Sequence, residues 1–389
     1  MNIIDKFPWR IQSQLGYRPC RCFKKTKDYC TVHPRNTYSE LIPGGVFNLE
    51  APKTVQREKH PEFDLNISKE YTEAFMASIH GGRVFMHIGL EGIVSVITPE
   101  NCLLSDISTD PYYRKIHPVL TEFKLPKSKF IKGNAYLIAT PDGNGNYYHW
   151  MAEQIPRVGL LNVNKSDIRF NRKMHEIDYF ITTKLMHPFQ KDSLHKLNIP
   201  EEKIFQINNG EHFQFEHLIV PSLLSFNPWV YHFFQRSFID KLNFENKKHS
   251  KRIYVSRRKA GWRKILNEEL LIEELTGNFG FVEVFSEEYS LEEQASMFHE
   301  AEVIVSPHGA ALTNLFFCKE NTKIIELFSP EYVNIIYWIY ANYAKLDYYY
   351  IIGNSCEKNI SNPFTALRSD FLINIEDVKK TLNCLCGVI

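Results

Sequence analysis

The sequence predicts an α/β protein built as two doubly wound halves. Short runs rich in β-branched and aromatic residues alternate with segments of helical periodicity from about residue 130 onward, the pattern of a parallel sheet with helices on both faces. The chain has 389 residues, enough for two domains. A polar, charged stretch, Phe244–Ser250, falls between the two alternating runs and reads as a linker. Hydrophobic residues make up 44% of the chain, with 28 Phe, 20 Tyr and 5 Trp, which supplies ordinary cores and excludes a largely disordered protein. The net charge of +1 argues against a dedicated nucleic-acid binder.

The elements follow in order. Residues 1–80 are rich in Cys, Pro, Arg and Lys, show little periodicity and read as an irregular N-terminal extension. Residues 81–245 form the first domain. Its strands are Arg83–Ile88, Val94–Ile97, Ala135–Ala139, Ile177–Thr182, Phe205–Ile207 and His217–Val220, with a turn at Asp142–Gly145. Tyr147–Leu161 has near-helical spacing, with Pro156 expected to end or kink its first turns. His187–Leu197 and Pro228–Leu242 read as helices, the latter with its proline at the start. Residues 246–355 form the second domain, with strands Arg252–Ser256, Phe281–Phe285, Glu302–Ser306, Lys323–Phe328 and Asp347–Ile352. Its first helix is capped by Asn267 and stopped by Gly277, and a second, Leu291–Ala301, opens with a Ser290–Glu293 capping box. Ala310–Phe317 and Tyr332–Tyr343 complete the helices. Residues 356–389 read as a tail that packs back on the first domain.

The N-terminus has no apolar core of a secretory signal, and no apolar run approaches the roughly 18 residues that span a bilayer. The protein is expected to be soluble and cytoplasmic. Eight cysteines are too dilute for a disulfide scaffold. Cys20, Cys22, Cys30 and His33 cluster, but one intervening residue in the first pair fits no common zinc spacing, so free thiols are favoured over zinc.

Three constellations carry chemistry. In Val303–Asn314 a buried-type strand runs into a tight turn and then a helix. His308, Gly309, Ala310 and Asn314 there suit an anion at the helix start, although an ordinary strand-to-helix turn with a capped His reads as well. Neither a GxGxxG nor a GxxxxGK[ST] pattern is present, so neither a dinucleotide cofactor nor a P-loop is indicated. In Lys247–Lys264 nine Lys/Arg fall in eighteen residues without an acid. Ser256 and Arg257 close a strand there, where Arg can grip a diphosphate, and Arg263 lies six residues on. A solvated charged face or a polyanion stripe would look similar. In Asn146–Arg157, His149 and Glu153 stand i, i+4 on one helical face, a plausible general base or a buried polar pair fixing a helix end. Glu326 near the end of Lys323–Phe328 suits a ribose diol, or is a surface charge; Glu287 and Glu288 are weaker candidates.

Three stretches, Asn146–Arg157, Tyr254–Glu268 and Ile304–Asn314 with Glu326 downstream, together resemble glycosyltransferase family 61. That family includes plant cell-wall xylosyl- and arabinosyltransferases and bacterial capsular-polysaccharide proteins. The match spans roughly residues 130–330. The resemblance implies a GT-B fold, two Rossmann-like domains facing across a cleft. It implies inverting transfer from a nucleotide sugar, usually a UDP-sugar, to a glycan hydroxyl, with no metal and no cofactor beyond that co-substrate. Glu153 would be the base, helped by His149. Ser256, Arg257, Arg263, His308, Gly309, Ala310, Asn314 and Glu326 would hold the donor. The missing signal or anchor points to a cytoplasmic enzyme of surface-polysaccharide synthesis, compatible with peripheral membrane association and with no nucleic-acid partner. The competing class is a non-catalytic nucleotide-, glycan- or polyanion-binding module of the same fold.

Overall fold

The computed structural model describes residues 18–19, 21–87, 93–108, 116–140, 145–163, 174–242, 249–356 and 362–386. Cys20, Ile88, most of the Asp142–Gly145 turn, most of the Phe244–Ser250 linker, and Lys247 and Lys248 lie outside the described residues. The chain divides into two compact units: residues 1–45 with 71–227, and residues 46–70 with 228–389.

The first unit carries a ten-stranded mixed sheet. Its strands are β1 (Arg21–Phe23), β2 (Thr37–Ile42), β3 (Ala74–His80), β4 (Arg83–Met86), β5 (Val94–Ile97), β6 (Cys102–Leu104), β7 (Lys129–Leu137), β8 (Tyr179–Thr182), β9 (Ile204–Gln206) and β10 (His212–Pro221). The main path runs β1-β6-β5-β4-β10-β7-β8-β9, with β3 joining β10 and β2. Only the β10-β7-β8-β9 portion and the β1-β6 edge are parallel; β2 to β6 otherwise pair antiparallel. The expectation of a doubly wound parallel sheet in this half is therefore corrected. Tight connections from β3 through β6 leave no room for crossover helices, so those successive strands run antiparallel where they pair. The described part of the extension is not irregular either. β1 and β2 are sheet strands, and Tyr29 and Cys30 on the short helix Thr26–Val32 enter the core. Sequence periodicity misses β1 because it is three residues long with two of them exposed, and β2 because its positions are half-buried or buried and its pairing shifts register between Glu40 and Ile42.

The second unit is the cleaner α/β body. β11 (Arg252–Val255), β12 (Val282–Val284), β13 (Val303–Pro307), β14 (Lys323–Phe328) and β15 (Asp347–Ile352) form an all-parallel sheet in the order β12-β11-β13-β14-β15. Its strands are continuous apolar runs, as sheets covered on both faces require. Helix α1 (Glu268–Phe279) continues past Gly277 and stops at Gly280, whose φ of 68° provides the left-handed cap. Asn267 does not cap it. Its side chain exchanges two hydrogen bonds with the Ile373 backbone, at 2.8 and 3.0 Å. Helix α2 (Leu291–Glu300) has the expected Ser290–Glu293 capping box, and α3 (Ile336–Tyr343) starts later than Tyr332.

The tail is part of this second unit. Phe371, Ile373, and Val378 and Leu382 of α4 (Ile375–Cys386), share a buried cluster with Tyr254, Leu271, Leu275 and Val305. The segment 46–70 also completes this unit. Lys53 pairs in parallel with Tyr349 on β15, giving and receiving 3.0 Å backbone hydrogen bonds. Phe63, 3% exposed, stacks on Tyr350 at 4.2 Å and meets Trp338 edge-on at 5.2 Å. Phe63→Ala should therefore cost about 3–5 kcal/mol of stability. Chemical denaturation measures it, and a loss below about 1 kcal/mol would show that the segment is only draped on the surface.

Candidate functional site

The first unit's site begins with how its helix is anchored. His149–Gln154 forms π-helical turns that lead into the α-helical Ile155–Gly159. Pro156 neither ends nor breaks the helix. It supplies no N–H to the preceding turn, and the chain widens there instead. Asn146 Oδ1 accepts from the N–H groups of Tyr148 and His149 at 2.9 and 3.4 Å. Trp150 is fully buried and donates from Nε1 to Ser193 Oγ at 2.8 Å. Arg157 is also fully buried, and its guanidinium donates to the carbonyls of Ile138, Ala139 and Pro221 at 2.9, 2.7 and 2.6 Å. Burial pushes its pKa down to about 10, so it stays cationic near neutral pH. Those three carbonyls lie at the carboxyl ends of the adjacent parallel strands β7 and β10. One charged side chain thus fixes the helix over the sheet's carboxyl edge.

With that face buried, His149 and Glu153 emerge on the other. His149 Nδ1 lies 2.9 Å from Glu153 Oε2, and the two side chains are 23% and 22% exposed. The pair is not sealed in the core, so a solute can reach it. A carboxylate acceptor assigns the shared proton to Nδ1, which holds the Glu153 oxygens in a fixed direction.

In the second unit the strand order places β11 and β13 at the centre, with their following crossovers diverging to opposite sides. This is the topological switch point of an open α/β sheet, where ligand crevices form beyond the carboxyl ends. Ser256 and Arg257 follow β11; His308 and Gly309 follow β13. The two turns interlock. A Cβ at position 309 would drive into Arg257 Nη1, with Cζ 3.1 Å away, so only glycine leaves the guanidinium its place. Gly309 has extended backbone angles, so its need is for space alone. Glu268, the first residue of α1, is buried and accepts from Tyr254 Oη at 2.7 Å, Ser256 Oγ at 2.8 Å and the Arg257 N–H at 3.3 Å.

The basic segment resolves into two kinds of charge. Arg258 is bidentate with Glu283 at 3.0 and 2.7 Å, Lys259 pairs with Glu288, and Arg252 donates to the Phe279 carbonyl. Neither Arg257 nor Arg263 forms a salt bridge among the described residues. Both are half-buried. The Arg257 pKa falls to about 10, first through burial and then through the neighbouring Arg263 charge. Arg263 is lowered as well, chiefly by burial. It sits at a φ of 54°, rare for a side-chain-bearing residue, with its guanidinium 4.9 Å above the Tyr332 ring.

His308 is 7% exposed and stacks on Phe328 at 5.3 Å. Its Nδ1 lies 2.5 Å from Glu326 Oε1, while the Tyr348 hydroxyl donates to Glu326 Oε2 at 2.5 Å. Glu326 is fully buried, which removes the surface-charge reading. Both its oxygens are engaged, one by His308 and one by Tyr348. Asn314 is fully buried and donates to Gln294 Oε1 at 2.9 Å, tying the 3-10 helix Ala310–Phe317 to α2. It is a brace for the turn. Ala310 opens that helix, half-buried beside Gly309. Glu268 and Tyr348 were not legible as site residues. A glutamate in a helix's first turn and a tyrosine in a strand look ordinary, and only the fold brings them under Arg257 and Glu326. A separate cavity of about 700 Å³, lined by Lys53, Lys323, Trp338 and Asp347, opens at the amino ends of β14 and β15, away from these turns.

Residues 147–325 match the family model described as Glycosyltransferase 61. That stretch belongs to glycosyltransferase family 61. The match starts two residues before His149 and ends one before Glu326, so it takes in Glu153, Ser256, Arg257, Arg263, Glu268, His308, Gly309 and Asn314. The family supports glycosyltransferase activity, and with it a sugar donor and an acceptor as substrates. No curated protein matches the chain. Among the described residues, no helix is long and apolar enough to cross a membrane. Nor does any group of three or more His, Cys, Asp or Glu stand ready to hold a metal ion. Of the cysteine cluster, Cys22 is exposed and free, and Cys30 is buried with its thiol pushed up to about 12 by burial.

Gly309→Ala gives a clean test of the interlocked turns. The backbone tolerates alanine and the obstructing atom is the far end of a flexible side chain, so the melting temperature should hold within a few degrees. The guanidinium must move, and calorimetric affinity for inorganic pyrophosphate should fall at least about tenfold. Unchanged affinity would mean that Arg257 does not face the anion.

Proposed function

We propose that the chain is an inverting, metal-independent glycosyltransferase that moves a sugar from a UDP-sugar to a hydroxyl of a glycan acceptor. The observation that carries the reading is the Arg257–Arg263 pair. Two neighbouring cations, half-buried at the switch point and with no carboxylate paired to either guanidinium among the described residues, are a standing demand for an anion. A nucleotide-sugar diphosphate meets that demand. His308, oriented by Glu326, and the start of the Ala310–Phe317 helix add donors on the same edge. Ser256 and Asn314 shape the two turns.

In this reading Glu153 takes the proton from the acceptor hydroxyl while the His149 Nδ1–H holds the carboxylate in line. The acceptor oxygen forms its bond to the anomeric carbon from the face opposite the nucleotide. The bond from that carbon to the diphosphate oxygen breaks, and its electron pair leaves with the diphosphate. Arg257 and Arg263 meet the charge that grows there, which is the role a divalent cation plays elsewhere. Glu153 then gives its proton to solvent. The proposal extends to a GT-B arrangement of the two units, to cytoplasmic placement with peripheral membrane association, and to surface or capsular polysaccharide synthesis. These follow the family resemblance.

Two substitutions separate the roles. Glu153→Gln should cut turnover by about 10²–10⁴ while UDP affinity, read by calorimetry, stays near the parent value. Turnover within a few-fold of the parent would remove Glu153 as the base. Arg257→Ala should weaken UDP binding by at least about tenfold, as the loss of a charge-assisted hydrogen bond implies. Equal affinity in both proteins would place the diphosphate elsewhere.

A further inference from the structure

We propose that Glu268 is the positioning residue of the donor grip: it holds Arg257 by its backbone and so leaves the guanidinium uncommitted for the diphosphate. The inference rests on the donor-site reading above and goes one layer beneath it. A carboxylate close to an arginine ordinarily pairs with the guanidinium, as Glu283 does with Arg258 one residue further on. Glu268 does otherwise. Its Oε1 accepts three donors, the Tyr254 hydroxyl at 2.7 Å, the Ser256 hydroxyl at 2.8 Å and the Arg257 backbone N–H at 3.3 Å. The guanidinium itself donates from Nη2 to the Trp262 carbonyl at 3.3 Å, a neutral acceptor that leaves its charge uncancelled.

The placement has three physical consequences. The negative charge sits close enough to favour a cationic Arg257 against the repulsion of Arg263, yet it does not occupy the place an incoming anion needs. Three donors on one oxygen fix the 256–257 turn against the first residue of α1, so the guanidinium approaches Gly309 from one direction. The first turn of a helix is also where a buried carboxylate costs least, because the helix dipole favours it. Burial of Glu268 at 4% exposure is thus satisfied from two sides without using the arginine head group.

The test is a double-mutant cycle read by calorimetry, with UDP as the probe and GDP, CDP and ADP run beside it. The proteins are the parent, Arg257→Ala, Glu268→Gln and the double variant, each with its melting temperature. Glu268→Gln should bind UDP about tenfold more weakly, equivalent to about 1.4 kcal/mol. In the Arg257→Ala background it should cost nothing further, because its effect passes through that side chain. A purely structural glutamate would lower the melting temperature and give losses that add. Additive losses, or undiminished affinity in Glu268→Gln, overturn the assignment. If Glu268→Gln does not fold, Ser256→Ala removes one of the three donors and runs through the same cycle with the same criteria. If the parent binds none of the four nucleotides, the donor-site reading itself fails and this inference falls with it. Parent binding that is lost in Arg257→Ala but kept in Glu268→Gln sinks this inference alone.

Discussion

Two like charges held side by side set the constraint around which the C-terminal unit is arranged. Arg263 lowers the proton affinity of Arg257, and neither guanidinium forms a salt bridge with a carboxylate among the described residues. An isolated protein would gain by turning either side chain into solvent. Several features prevent that. Gly309 gives Arg257 a recess, Tyr332 carries Arg263, and Glu268 fixes the turn from below. Each arrangement costs something locally, most plainly the positive φ at Arg263. The set becomes intelligible when an anion completes it.

Arg157 in the other unit shows what a structural arginine looks like by comparison. It is more deeply buried than Arg257 and shifted to a similar pKa, and the cause is burial in both cases. Three backbone carbonyls satisfy it, and it is spent on joining a helix to strand ends. A perturbed pKa therefore does not separate function from scaffold here. The separation lies in what the guanidinium touches. The same comparison holds for the two histidine–carboxylate pairs. His149 and Glu153 are about a quarter exposed, which suits proton transfer with a substrate. Glu326 is sealed in between His308 and Tyr348, which suits orientation of the imidazole.

The second unit was legible in the sequence nearly strand by strand because most of its strands are largely apolar runs between turn residues. Lys323–Phe328 and Asp347–Ile352 fall where that pattern puts them. The Ser290 capping box was readable because its chemistry is local. Gly277 misled because a glycine inside a helix and a glycine ending one look alike, and Gly280 took the left-handed position. The first unit was less legible for a different reason. β1 and β2 are edge elements whose order depends on partners 32 to 81 residues away in the chain. Site chemistry followed the same division. His149, Glu153, Arg257 and His308 belong to compact motifs, whereas Glu268 and Tyr348 act through contacts that only the sheet creates.

The discontinuity of the second unit bears on how the protein is made. Residues 46–70 leave the ribosome first, yet Phe63 finds Tyr350 and Trp338 only after nearly the whole chain has emerged. Domains fold as units during synthesis, N-terminal first. Here the nascent first unit matures while carrying an apolar segment that belongs to its successor. That segment is short, lysine- and glutamate-bearing and held between elements already folding, which limits what it exposes. The cell thus meets, for the length of one translation, a chain whose Phe63 and Lys53 wait for partners that have yet to emerge.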